Sequence, residues 1–391
     1  MEKHLFILGV ALTLAGLSAC TNGSSKGGLV KVQVDKSYPV RPMKLSEVAD
    51  FSYVQPQADT AYFYKGRPIA LTAHRFVMYD RTTDGLLFFD RTTGKPISRF
   101  SHHGNGPQEY TFIQHAVYDE TSDEVFIYDP HLNQILVYNS KGTYKRSLPL
   151  PKDWHSNNTA SFDASSLLVY DTGWVPKPAL RKEPGYSPFM LISKTDGHIL
   201  QKIKIPWKDI VLGVPFSLNQ ISNYLYGITN RVVACQDGYM LCNPEADTVF
   251  FFGKDRQPKP VLVQTPPAAS HDPKIYLDNL LDAPSYQFME AVTVQRAKGA
   301  FPFPSVYLIR DKKTGKIYTQ QITLDDYAGK QLNFSPRQVG SVVKDGACID
   351  LDLGELKQAL AAGKLSGRLK AIVSASDAEK DNDIYLLVHF K

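Results

Sequence analysis

Five histidines fall in one stretch of the chain: His102, His103, His115, His131 and His155. Zinc needs three or four converging ligands. This spacing brings no such set together locally. There is no His-Glu-x-x-His pattern, and adjacent residues such as His102 and His103 point to opposite faces of an extended strand. The sequence therefore predicts solvated loop histidines, with no metal and no cofactor. The segment Gly104-Asn105-Gly106-Pro107-Gln108-Glu109-Tyr110 lies among them. It lacks the Gly-Lys-Ser/Thr that opens a helix in a phosphate loop, and it leads into a strand around Phe112 to Val117. Its glycines are expected to permit positive φ where the chain crosses between structural units. Glu109 is expected to cap backbone amides or reach a ligand.

A second place for chemistry is residues 172–186, which interrupt an otherwise tight hairpin and carry Trp174, Arg181 and Tyr186. Long insertions of this kind often bind. An aromatic platform beside a guanidinium suits sugar rings, peptides or carboxylates. Trp154 and Trp207 fall in other connections, expected on the same side. The candidate ligand-binding set is Glu109, His131, Trp154, Trp174 and Arg181. No Gly-x-Ser-x-Gly elbow or dinucleotide fingerprint is present, so no catalytic residue is assigned.

The elements that must carry these side chains repeat. Residues 86–95, 135–142, 189–197 and 306–316 each run from an apolar strand into a Gly-containing turn, the mark of a hairpin. Upstream of the first three lie residues 76–80, 125–129 and 167–171, each ending in Tyr-Asp. Those Asp residues are expected to open turns by binding the backbone two residues on. Repeated strands without intervening helices, at a period near 50, predict an all-β propeller. Six blades would take about 62 residues each and seven about 53; six is expected. A strand with Val30, Val32 and Val34 is expected to share a blade with residues 384–390, closing the ring and hiding its edges. One helix is predicted. Asp352 caps it, Glu355 follows three residues later, and Leu353, Leu356 and Leu360 form its apolar stripe up to Gly363.

The start of the chain reads as an address. Residues 5–14 are apolar but too short to span a bilayer, which takes roughly 20 residues, and they suit a signal peptide. The run ends in Leu17-Ser18-Ala19-Cys20. Small residues before a Cys resemble the bacterial lipobox, in which Cys20 would become the lipidated N-terminus. Residues 1–19 are then the signal, 20–28 a flexible tether, and 29–391 a single domain. Cys235, Cys242 and Cys348 form no disulfide framework, and Cys235 and Cys242 are expected to pack as small hydrophobes. With 43% hydrophobic and 21% charged residues, disorder is excluded. A net charge of +5 without a basic run gives nucleic acid no footprint.

The segment from Arg99 through Gly104, Gly106, Pro107, Glu109 and Tyr110 resembles a hallmark of six-bladed β-propeller lipoproteins of Bacteroidota, many of them domains of unknown function. Asp129 to Tyr138 is similar to an NHL-type repeat, with an Asp turn, Asn133 and an apolar strand. Asp381-Asn382-Asp383 also resembles that family, which often has Asn-Pro there; Asp383 departs from it. The resemblance spans residues 30–391 and implies the propeller fold and an envelope location, with no reaction attached. The reading that follows is a lipid-anchored binding module for a saccharide, a peptide or an envelope protein. It sits in the outer membrane facing the periplasm, since the tether lacks the acidic residues that accompany surface export in the resembling group. A glycan hydrolase or lyase at the channel mouth, and a scaffold in an outer-membrane complex, are the alternatives.

Overall fold

The computed structural model describes residues 28–64, 66–151, 154, 156–171, 187–206, 214–218, 221–225, 231–243, 246–294, 303–334 and 346–391. The calls on Cys20, Trp174, Arg181, His155 and Trp207 lie outside these residues.

The chain is all-β with a propeller arrangement. Sheet I is the antiparallel meander Gly66–Leu71, Arg75–Asp80, Gly85–Asp90, Pro96–Phe100. Sheet II is His115–Asp119, Glu124–Asp129, Gln134–Tyr138, Tyr144–Pro149, and sheet III is Ser156–Ser161, Ser166–Asp171, Phe189–Ser193, Ile199–Lys202. Sheet IV pairs Gly346–Leu351, Ile384–Phe390 and Ala49–Val54. An 11-stranded sheet holds two further meanders. The first runs Val232–Cys235, Gly238–Asn243, Thr248–Gly253, Pro258–Thr265; the second runs Lys274–Asp282, Tyr286–Val294, Ser305–Asp311, Ile317–Thr323. Val214–Leu218 and Ile221–Leu225 form a separate hairpin.

Two corrections follow. Four sheets of blade size stand apart, not the expected six, because a parallel bridge between Cys235 and Asp282 joins the two remaining meanders edge to edge. Residues 384–390 do close onto an N-terminal strand, but that strand is Ala49–Val54. Val30–Gln33 instead lies parallel to Pro258–Thr265 at the rim of the first meander. Its alternating valines satisfied any half-buried edge, so pattern alone did not choose the partner.

The strands read as continuous apolar runs because both of their faces are buried. In Gly85–Asp90, Leu86 and Phe88 pack toward sheet II while Leu87 and Phe89 pack toward sheet IV. Among the described residues, apolar cores link neighbouring sheets and meanders. Val77, Phe88, Tyr110 and Ile127 join I to II; Phe126, Ile135, Leu167 and Met190 join II to III. Leu168, Phe189, Leu241 and Phe252 join III to the first meander, and Val233, Met240, Met289 and Leu308 join the meanders. Phe288, Ile309, Leu386 and Phe390 join the second meander to IV, and Tyr385, Leu387, Phe76 and Met78 return to I. Each fully buried side chain contributes about 1.5–3 kcal/mol.

The predicted helix is Leu353–Ala361, with Asp352 accepting from the Glu355 amide at 2.7 Å. A second helix, Gly367–Ala375, follows after Gly363 at φ +68°. Leu353, Leu356, Leu369 and Val373 pack into the core between the second meander and sheet IV. Cys235, Cys242 and Cys348 are buried and form no disulfide among the described residues.

Candidate functional site

Strand direction divides the turns between two faces. Turns joining first to second and third to fourth strands open on what is called here the lower face. Second-to-third turns and the connections between sheets open on the upper face.

The upper face holds the glycine segment. Tyr110 is fully buried beneath it; its hydroxyl donates to the Asp84 carbonyl at 2.6 Å and accepts from the His102 amide at 3.0 Å. The Tyr138 hydroxyl donates to the Gln108 carbonyl at 2.7 Å. Glu109 Oε2 accepts from the Gly106 amide at 2.7 Å, so this carboxylate caps its own turn. Neither Gly104 nor Gly106 takes the expected positive φ. A Cβ on Gly104 would lie 2.0 Å from Glu109 Oε2. Positive φ belongs to the glycines of the repeated third-to-fourth turns, among them Gly94 at +69° and Gly142 at +83°. Of the three Tyr-Asp carboxylates, Asp80 and Asp129 open turns as expected; the turn after Asp171 lies outside the described residues. Asp80 accepts from the Thr82 amide at 3.0 Å, and Asp129 accepts from His131 at 2.8 Å and from Thr111 of the preceding connection at 2.6 Å.

The histidines scatter. His102 bonds the Gly142 carbonyl at 2.7 Å and stacks on Tyr138; His103 faces the Thr111 carbonyl; His131 is exposed, its Nδ1 3.0 Å from Thr111 Oγ1. His115, on the first strand of sheet II, shares a 2.7 Å hydrogen bond with Thr159 of sheet III. Burial, then the charge of Arg67, lowers its pKa to about 3, which keeps it neutral. Among the described residues no His, Cys, Asp and Glu cluster could hold a metal ion. Trp154 is buried at 6% exposure against Leu148, Leu150 and Leu167 between sheets II and III. Of the candidate residues described, His131 is the exposed one, while Glu109 and Trp154 are engaged in their own loops.

The lower face holds a pocket of about 470 Å³ between sheet III and the first meander. Ser161, Phe162 and Asp163 line one side; Gln236, Asp237, Tyr239 and Lys254 line the other. Its walls are fixed by charge and hydrogen bonds. Asp163 Oδ2 pairs with Arg256 at 2.8 Å and Oδ1 accepts from Ser166 Oγ at 2.6 Å. Burial works to raise the Asp163 pKa, but Ser166, Arg256 and Ser165 outweigh it and hold the carboxylate ionised. Tyr239 donates to the Ser161 carbonyl at 2.5 Å. Ser161 Oγ accepts from Lys194 Nζ at 2.8 Å, and that buried ammonium pairs with Asp119 of sheet II at 2.6 Å. Burial opposes ionisation of Asp119, yet Lys194 lowers its pKa overall. Phe162 contributes a half-buried ring, with the Arg256 guanidinium 5.9 Å from its centre. The arrangement offers an aromatic surface among fixed charges of both signs. Sequence reasoning missed it, because its two sides lie on hairpin turns far apart in the chain and unremarkable in composition.

The fold and this site define a β-propeller with a polar pocket between blades. The family model for a domain of unknown function, DUF4934, matches residues 32–388, and the chain belongs to that family. No curated protein matches it. Among solved structures, a Bacteroides fragilis NCTC 9343 chain described as an exported protein aligns over 93% of this chain and 100% of its own, at 14% identity and a TM-score of 0.65. A DUF4221 member from Bacteroides vulgatus aligns at 10% identity over 88% and 98%, with a TM-score of 0.44. The Neurospora crassa Pan2 WD40 domain aligns at 10% identity over 80% and 82%, with a TM-score of 0.39. The first shows the shared fold; the other two score too low to carry an argument.

Proposed function

We propose that this chain is a lipid-anchored envelope protein, one six-bladed propeller domain from residue 29 onward, that binds a saccharide or peptide in the lower-face pocket. Six cores between neighbouring units, counted among the described residues, support the blade count, with the two meanders of the 11-stranded sheet taken as two blades. The apolar leader ending at Cys20, and the exported description of the Bacteroides fragilis relative, support an outer-membrane address facing the periplasm. The pocket itself carries the functional reading. Phe162 offers a ring for stacking, and Gln236, Asp237 and Lys254 offer polar contacts around it. Binding is favoured over glycan cleavage because Asp163, paired with Arg256, is held ionised and is a poor proton donor. His131, exposed beside Phe112 and Leu132 on the upper face, favours a second docking place with Trp174 and Arg181 for an envelope partner.

The test is a thermal-shift screen of the soluble chain against oligosaccharides and peptides, repeated with Phe162→Ala and Lys254→Ala. A ligand at 100 times its Kd adds about 2.7 kcal/mol to the folded state. Each variant is expected to weaken the hit at least tenfold. Silence across the panel, or a hit that both variants leave unchanged, overturns the pocket reading and moves the weight to a scaffold.

A further inference from the structure

The third-to-fourth turns of five units project from the outer part of the lower face: residues 91–95, 139–143, 194–198, 254–257 and 312–316. Together they carry nine Lys and Arg against two Asp. The first-to-second turns of the same units, nearer the axis, are 72–74, 120–123, 162–165, 236–237 and 283–285. They carry no Lys or Arg and four acidic residues. Charge is thus sorted by radius, positive outside and negative inside. On the upper face, turn 81–84 balances Arg81 against Asp84 and turn 130–133 carries no acidic or basic residue apart from His131.

Several of the outer cations are consumed by the fold. Lys194 pairs with Asp119, Arg256 with Asp163 and Lys312 with Asp282. Lys95, Lys141, Lys254, Lys313 and Lys316 are exposed and enter no ion pair among the described residues. They sit on four different units, so they do not form one pocket for one anion. A ring of separated cations facing one way matches a flat anionic surface.

The start of the chain points the same way. Val30–Gln33 runs parallel to Pro258–Thr265, whose first residue follows turn 254–257. The chain therefore enters the fold from the lower face, at the rim of the unit whose turns line the pocket. Nine residues, 21–29, separate Val30 from Cys20. Nine residues extend to at most about 32 Å.

We infer that the lower face lies on an anionic phospholipid bilayer, held by the outer lysines, so that the pocket opens toward the membrane. This rests on the anchored-propeller reading for the tether, while the lysine ring stands independently of it. Lys and Arg held near an anionic leaflet supplement a lipid anchor, and the contact weakens as salt screens it.

The experiment uses the chain from residue 21 onward, which keeps every described strand and core but has no lipid. Sedimentation is measured with phosphatidylethanolamine vesicles containing about 30% phosphatidylglycerol, and with neutral phosphatidylcholine vesicles. Binding to the anionic vesicles is expected to exceed that to neutral ones at least tenfold and to fall at least tenfold at high salt. The variant Lys95→Glu, Lys141→Glu, Lys313→Glu, Lys316→Glu is expected to lose it with an unchanged melting curve, while Arg81→Glu on the upper face retains it. Equal binding to both vesicles, no binding, or equal loss in Arg81→Glu overturns the inference. Lys254 is left intact, so the vesicle result and the ligand screen fail separately.

Discussion

The junction between sheets I and II and the junction between sheet III and the first meander are built from the same strand pattern, yet the upper end of one takes a buried tyrosine and the lower end of the other holds a pocket. At the first, residues 104–110 fold back over the seam and drive Tyr110 into the core shared by both sheets, where its hydroxyl bonds the Asp84 carbonyl and the His102 amide on the side of sheet I. At the second, the seam on the lower face is spanned by polar contacts, Arg256 to Asp163 and Tyr239 to Ser161, with Phe162 half-buried between them. An apolar wedge fills space, whereas ion pairs hold walls at a distance and leave volume for a guest. The difference lies in what the turns contribute, since the strands behind both junctions bury equivalent Leu, Val and Phe residues.

The comparison is broken most forcefully at Lys194, which fixes the inner wall of the open junction to sheet II. Its side chain is 5% exposed and its partner Asp119 14%. Lys194→Met leaves Asp119 uncompensated, and a loss of about 3–5 kcal/mol is expected by denaturant titration. A change under about 1 kcal/mol would mean that the wall does not depend on the pair. At the first junction, Tyr110→Phe keeps the wedge but orphans the His102 amide and leaves the Asp84 carbonyl only the 3.4 Å bond from Ser101 Oγ. A loss of about 2 kcal/mol is expected from the same titration, and a neutral result would assign the junction to packing alone.

A third junction, between sheets IV and I, sharpens the comparison through pH. Asp350 is reached by solvent but crowded by protein, which raises its pKa; Asp383 and Asp352 raise it further, to about 7. The folded chain therefore keeps a proton that the unfolded chain gives up above the usual 3.8. Its contribution to stability is present at low pH and is lost as pH rises toward 7. Asp350→Asn should remove that decline, gaining about 1 kcal/mol or less above neutrality once solvent screening is allowed for. Melting curves at acid and alkaline pH check this; a variant that is no more stable at pH 8, a value about one unit above the raised pKa, would exclude the crowding.

Many of the turns on both faces were legible. The Tyr-Asp turns and the positive-φ glycines of the third-to-fourth turns depend on residues within a few positions of one another, so composition carried them. Gly104 was expected at positive φ and does not adopt it; the Glu109 carboxylate reaches it after a reversal that the sequence does not announce. The buried Trp154 looked like a platform because its loop position was readable and its packing against Leu148 and Leu167 was not.

By itself the sequence determined the strands, their turns, the capped helix at Asp352 and the all-β class, since each follows from local periodicity and backbone preference. Tertiary structure alone decided which edge strand the N-terminal valines joined and which strand closed the ring. It also decided that Phe162 and Asp163 should face Tyr239 and Lys254 across a cavity. Period-two burial is satisfied by any neighbouring sheet, so the choice among neighbours falls to the closure of the whole ring.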